Sequence, residues 1–134
     1  MKLYERERRR SGGITVADIT DEVNAAVRGS GVRSGIACVY TPHTTCCVRV
    51  NEFETGLLDD FAALLRQLVP GETSAAGFAR DHPHCVSMLL GPAGESIPVD
   101  GGELLLGRWQ RVLFVELDSV HDRRWLVKVV GSQC

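Results

Sequence analysis

The stretch Asn51-Glu52-Phe53-Glu54-Thr55-Gly56-Leu57-Leu58-Asp59-Asp60-Phe61-Ala62-Ala63-Leu64-Leu65-Arg66-Gln67-Leu68-Val69-Pro70-Gly71 carries the strongest periodicity in the chain. Leu57, Leu58, Phe61, Leu64, Leu65 and Leu68 recur at i, i+1, i+4, i+7, i+8 and i+11, one apolar stripe at helical period. Thr55 is the expected N-cap, Asp59 and Asp60 lie in the early turns, and Pro70-Gly71 ends the helix. Upstream, Thr20 opens a shorter helix with Asp21 and Glu22 in its first turn and Gly29 to Gly31 at its end.

Around these two helices the sequence is rich in short β-prone runs separated by turn residues. Strands are expected at 3–10, Gly35 to Thr41, Thr45 to Val50, His84 to Leu90, Glu95 to Val99, Leu104 to Arg108 running on with Trp109 to Asp118, and Arg124 to Val130. Gly101-Gly102 supplies a tight turn, and Glu72 to about Arg80 reads as a polar loop. Two main helices among strands joined mostly by turns predict an α+β fold, a single domain over 1–134 built on a mostly antiparallel β-sheet.

Composition agrees with one globular domain. The chain has 134 residues, 44% hydrophobic and 24% charged, which rules out a disordered or collagen-like chain. No apolar run approaches the roughly 20 residues that a membrane helix needs, and no secretion signal is legible. A net charge of −2 leaves no basic footprint for nucleic acid; Arg8-Arg9-Arg10 reads as a solvated strand or arm. Five cysteines, odd in number and without CxxC spacing, read as reduced thiols, so a soluble cytoplasmic protein is expected. Cys46 and Cys47, adjacent on an expected strand, face opposite sides.

Candidate chemistry is sparse. If 82–90 is extended, His82 and His84 share a face at a spacing that seats one transition metal; otherwise they are a polar strand end. His43 sits in a bend with Thr44 and Thr45. Asn51-Glu52 enters the long helix, either as a plain turn or as the lining of a cleft at its positive end. On 109–118, Gln110, Glu116 and Asp118 fall on one face, and Glu116 within an apolar run is either a paired carboxylate or a site residue. No P-loop, dinucleotide-binding, nucleophile-elbow or zinc-protease motif is present.

Taken in order, a set of short segments resembles the YjbQ-like family, known as secondary thiamine-phosphate synthases. They are Ile19-Thr20-Asp21-Glu22-Val23, Ser30-Gly31-Val32, His43-Thr44-Thr45, Val50-Asn51-Glu52, Leu68-Val69-Pro70, His84 with Ser87-Met88-Leu89-Leu90-Gly91, Ile97-Pro98-Val99, and Gly107-Arg108-Trp109-Gln110 with Glu116 and Asp118. The resemblance implies an α+β homotrimer with a His-containing pocket for a divalent metal, Zn²⁺ or Mg²⁺, or for a small phosphorylated molecule. It implies catalytic roles for His43, His84 and Glu116. Substrate contacts would come from Thr44, Asn51, Glu52, Trp109, Gln110 and Arg108. A metal would sit on His43 and His84; the shorter 71–83 segment lacks a further family histidine, and His82, which the resemblance itself does not supply, is the expected stand-in. Arg108 replaces a family threonine, and Asp118-Ser119-Val120-His121 replaces a DGPR-like turn. The implied reaction joins a hydroxymethylpyrimidine diphosphate to a thiazole phosphate with loss of pyrophosphate. The alternatives are a metal-assisted enzyme acting on a small phosphorylated compound, and a non-enzymatic trimeric ligand-binding module.

Overall fold

The computed structural model describes residues 8–11, 14–69, 82–91, 93–118 and 122–134, without the side chains of 8–11 and 82. The expected residues 3–7 of a first strand, the 72–80 loop, Pro70-Gly71 and the Ser119–His121 turn lie outside the described residues, as do the side chains of Arg8 to Arg10.

Two four-stranded antiparallel sheets form the frame. The first pairs β1 (Arg8–Ser11), β2 (Ile14–Asp18), β7 (Arg111–Glu116) and β4 (Cys46–Asn51) in that spatial order. The second runs β6 (Glu103–Leu104), β5 (Gly94–Asp100), β3 (Ser34–Tyr40) and β8 (Leu126–Ser132). Three helices complete the chain: α1 (Thr20–Ser30), α2 (Thr55–Leu68) and α3 (His82–Leu90).

The first sheet is a middle layer, and its sequence shows why. In β7, Val112, Leu113, Phe114 and Val115 are all buried, so this central strand has no polar face. Val112 and Phe114 join Val23 and Val27 of α1 and Ala37, Val39 and Ile97 of the second sheet in one core. Leu113 and Val115 join Leu58 and Leu65 of α2 and Val86 of α3 in another. Cys46 and Cys47 divide between the same two cores, as their alternation predicts. In the second sheet the period of two is clean: Ala37 and Val39 are buried while Ile36 and Tyr40 face out. β3 and β8 approach very closely at Gly35 and Gly131, where a Cβ on Gly35 would stand 2.0 Å from the Val130 carbonyl oxygen.

Several expectations need correction. Residues 82–90 are helix, not strand: Val86 and Leu90, four apart, both turn to the second core, and Pro83 falls in the first turn, where a missing N–H costs nothing. Helix geometry removes the shared face proposed for His82 and His84, because residues i and i+2 point about 200° apart. The expected strand Leu104 to Arg108 shrinks to Glu103–Leu104. The expected Trp109 to Asp118 strand begins only at Arg111, since Gln110 closes a turn with its N–H on the Gly107 carbonyl at 3.0 Å. β2 was not foreseen. Helix α2 is capped by Glu54, whose carboxylate accepts from the N–H groups of Gly56 at 2.8 Å and Leu57 at 2.7 Å, rather than by Thr55. Helix α1 ends where expected, with Gly31 at φ 74°.

Candidate functional site

The register of β4 on β7 decides which site residues meet. Cys46 pairs with Glu116 at one end and Asn51 with Arg111 at the other. Five strand steps separate these ends, about 17 Å at 3.4 Å per residue. His43, Thr44 and Glu116 therefore gather at the first end, and Asn51, Glu52, Arg108, Trp109 and Gln110 at the second.

At the first end, Glu116 is 7% exposed and its carboxylate is fully occupied. Arg123 donates from Nε to Oε2 at 2.5 Å and from Nη2 to Oε1 at 2.8 Å. The Asp118 N–H reaches Oε1 at 3.1 Å and the Cys46 thiol reaches Oε2 at 3.5 Å. Four donors fill the four lone-pair positions of a carboxylate, leaving none for a proton or a metal. Arg123 also donates to Thr45 Oγ1 at 2.7 Å. Burial, joined by the Glu116 charge, pushes the Cys46 thiol far above the ordinary range, so it is not a nucleophile. His43 Nε2 accepts the Arg124 backbone N–H at 3.0 Å, and Thr41 Oγ1 donates to the Arg124 carbonyl at 3.0 Å. Burial, reinforced by the Arg123 and Arg124 charges, holds the His43 imidazole below its usual pKa, against an opposing pull from Glu116.

At the second end a hollow of about 270 Å³ is lined by Asp18, Glu52, Phe53, Glu54, Arg108, Trp109 and Arg111. Trp109 is 62% exposed, and the Arg108 guanidinium lies 4.9 Å from its ring centroid. Arg111 is committed elsewhere, to Asp18 at 2.7 Å and Asp21 at 3.5 Å. Burial would raise the Asp18 carboxyl, but hydrogen bonds from Thr20 and Arg111 outweigh it and hold the group below the carboxylate range. Gln110 is a turn former, its Oε1 accepting the Gly107 N–H at 2.7 Å. Asn51 Oδ1 accepts the Glu52 N–H at 2.7 Å. Glu52 also edges a second, apolar hollow of about 210 Å³ between the first sheet and α2, formed by Leu57, Leu58, Phe61, Leu113 and Val115.

His84 is exposed on α3, six residues or about 9 Å of helix before Leu90. The His82 side chain lies outside the described residues. Among the described residues no three His, Cys, Asp or Glu side chains gather as a metal-ligand set. With Nε2 of His43 engaged and Glu116 saturated, the described side chains do not fit the metal that the resemblance implies.

The sequence singled out His43 and Glu116 but not the bonds that define them. Arg123 pairs with Glu116 seven positions earlier in the chain, and such a pairing leaves no periodic trace in the sequence. Asp18 was missed as the partner of Arg111, although an Asp two residues before a helix-opening Thr, accepting the N–H and hydroxyl of that Thr20, is a recognisable local cap signal.

The model of the family described as UPF0047 protein YjbQ-like matches residues 5–132. A UPF0047 protein of Archaeoglobus fulgidus is 39% identical over 123 residues, covering 87% of this chain and 92% of its own. Another from Methanothermobacter thermautotrophicus is 36% identical over 137 residues, covering 98% and 95%. The crystal structure of a hypothetical protein from Aeropyrum pernix K1 superposes with a TM-score of 0.81 at 35% identity, over 95% of this chain and 94% of that one. With nearly the whole chain matched at these identities, the protein belongs to the UPF0047 YjbQ-like family.

Proposed function

We propose that the protein binds a small phosphorylated compound carrying a planar ring in the Trp109 hollow and performs group transfer of the thiamine-phosphate-synthase kind. The observation that carries this reading is the exposed Trp109 face with the Arg108 guanidinium laid over it, at a hollow edged by Glu52. A ring stacks on Trp109, and a phosphate or diphosphate attached to it meets Arg108. Arg111 and Arg123 are both tied to carboxylates, which leaves Arg108 as the cation best placed for a ligand.

In the proposed reaction, the bond between the pyrimidine methylene carbon and the diphosphate oxygen breaks, and its electron pair leaves with pyrophosphate. The thiazole nitrogen then donates its lone pair to that carbon. Arg108 offsets the departing negative charge, and Glu52 stabilises the positive charge that develops on the ring. No step passes through a metal.

Supporting the further proposal of a homotrimer, the outer face of the second sheet presents Ile36, Tyr40, Leu126 and Val130, each 45–64% exposed. Ile36 registers with Val130 and Tyr40 with Leu126, two apolar pairs on one face with the Cys38–Lys128 pair between them. Five cysteines without a disulfide support a cytoplasmic location. No helix among the described residues is long and apolar enough to cross a membrane.

The test is formation of thiamine phosphate and pyrophosphate from hydroxymethylpyrimidine diphosphate and thiazole phosphate, with pyrophosphate binding followed by Trp109 fluorescence. Turnover lost in Trp109→Ala and Arg108→Ala supports the reading. Tight pyrophosphate binding without any thiamine phosphate would leave a binding module and remove the transferase.

A further inference from the structure

We propose that the apolar hollow between the first sheet and α2 is a binding site for a small neutral ring compound, of the size of toluene or indole. The inference concerns a different cavity from the Trp109 hollow and does not depend on the transferase reading.

The hollow follows from where the two outer helices stand. In the first sheet β1 and β4 are the edge strands, and β2 and β7 lie between them. Helix α2 stands against β1 and α3 against β4, so the pair straddles the sheet. Leu65 of α2 and Val86 of α3 close over the middle in the second core. Between the first turn of α2 and the last residue of α3, at Leu57 and Leu90, a gap of about 210 Å³ stays open. Its floor is Val16 and Val115, which pair in register, together with Leu113. These three are 3–4% exposed, so bulk water hardly reaches the floor, whereas Leu57 at the mouth is 40% exposed.

The chemistry of the lining selects the ligand. Leu58 and Phe61 of α2 form one wall, and the Phe61 ring gives another ring an edge or a face to pack on. Among the described residues the polar lining comes only from β4 and the residue after it: Arg49, Asn51 and Glu52. Arg49 Nη1 donates to Glu95 Oε1 at 3.2 Å, so its charge is already offset, and the Glu52 carboxylate at the rim disfavours a further anion. Water over the apolar floor lacks the two to four polar partners that would hold it, and an apolar cavity of about 150 Å³ already takes benzene. The larger space here suits a substituted or bicyclic ring. Such a ring removes apolar surface from water and gives the lining the contacts that an open gap denies it.

Methyl carbon–proton NMR on the full chain, titrated separately with toluene, indole and benzoate, tests this. Toluene and indole are expected to shift the methyls of Leu57, Leu58, Leu113 and Val115 saturably, with a Kd of about 1 mM or tighter. The methyls of Val23 and Val27, in the other core, should stay in place. No saturable shift, or shifts spread over the exposed Ile36 and Leu126 instead, would overturn the site. Benzoate exchanges the toluene methyl for a carboxylate and is expected to bind about tenfold more weakly or worse, because burying an unpaired charge is costly. Equal or tighter binding of benzoate would overturn the neutral class. Leu57→Trp, at a position exposed enough to accept it, is expected to fill the mouth and weaken toluene binding about tenfold; unchanged affinity would overturn the placement. If that variant fails to fold, the methyl map of the wild-type protein decides by itself.

Discussion

Removing the Arg123 guanidinium while leaving Glu116 in place is the harshest single test of the first end of the sheet. The two side chains are 11% and 9% exposed, so the pair is desolvated on both sides. Arg123→Met takes away two of the four donors on the Glu116 carboxylate and the donor on Thr45 Oγ1. Breaking a buried pair from one side costs about 3–5 kcal/mol, because a charge is left without its partner. With an unfolding entropy of about 2.1 cal/mol/K per residue, a chain of 134 residues loses about 3.6 °C of Tm per kcal/mol. The variant should therefore melt about 11–18 °C below wild type in a calorimetric scan. Glu116→Leu in the same background removes the stranded carboxylate, and apolar replacement of a whole buried pair is often nearly neutral. The double variant Arg123→Met/Glu116→Leu should accordingly melt well above Arg123→Met alone, with a coupling of about 1–3 kcal/mol. If the two losses simply add, the bonds between Arg123 and Glu116 contribute nothing specific, and the account of this end of the sheet fails.

Gly35→Ala should cost about 1–3 kcal/mol and loosen the β3–β8 pairing, since its Cβ would meet the Val130 carbonyl, whereas Gly29→Ala, with open space around it in α1, should gain about 0.5–1 kcal/mol; denaturant titration of both variants checks the contrast. Of the five thiols, Cys38, Cys85 and Cys134 are exposed and should react promptly with a disulfide reagent in the native protein, while Cys46 and Cys47, the latter pushed up to about 11 by burial, should react only on unfolding. The imidazole of His43 binds its proton more weakly in the folded state than at its ordinary 6.5, so the unfolded chain holds more protons just below that pH. Stability should therefore be complete above pH 6.5 and fall as the pH drops toward the folded value, and His43→Phe should flatten this part of a stability–pH curve.

What the sequence disclosed follows from where its signals are local. Helix α2 reads correctly because six apolar residues at helical spacing leave one interpretation, although of that stripe Leu57, Leu64 and Leu68 stay exposed, and Gly31 caps α1 because a left-handed residue was needed there. Residues 82–90 misled because a nine-residue stretch with a proline near its start and its apolar residues crowded toward its end suits a buried strand or a short helix equally well, and only the contact of Val86 and Leu90 with the second core decides between them. Strand β2 escaped notice for a related reason: Val16 faces one core and Ala17 the other, so no alternation marks it. At the candidate site, the residue types were legible and their partners were not. His43 meets Arg124 across 81 positions and Thr45 meets Arg123 across 78, distances over which one sequence carries no record of contact.

The arrangement of the family-like segments explains why they divide as they do. His43-Thr44-Thr45 precedes β4 and Asn51-Glu52 closes it, while Trp109-Gln110 precedes β7 and Glu116 closes that strand. Because β4 and β7 run antiparallel, the start of each lies beside the end of the other, so the histidine segment must meet Glu116 and the Asn-Glu segment must meet Trp109. About 17 Å of paired strand then separates two polar ends, a span that a single small phosphorylated compound does not bridge. Each end has its own recognisable chemistry. The Trp109 end offers a ring face in a hollow lined by charges of both signs, whereas the other end holds Arg123, Glu116, Thr45 and His43 in a hydrogen-bonded set. A ligand acting at both ends at once requires either two bound molecules or a second copy of the chain, and roles for His43 and Trp109 in one chemical step stand or fall with that requirement.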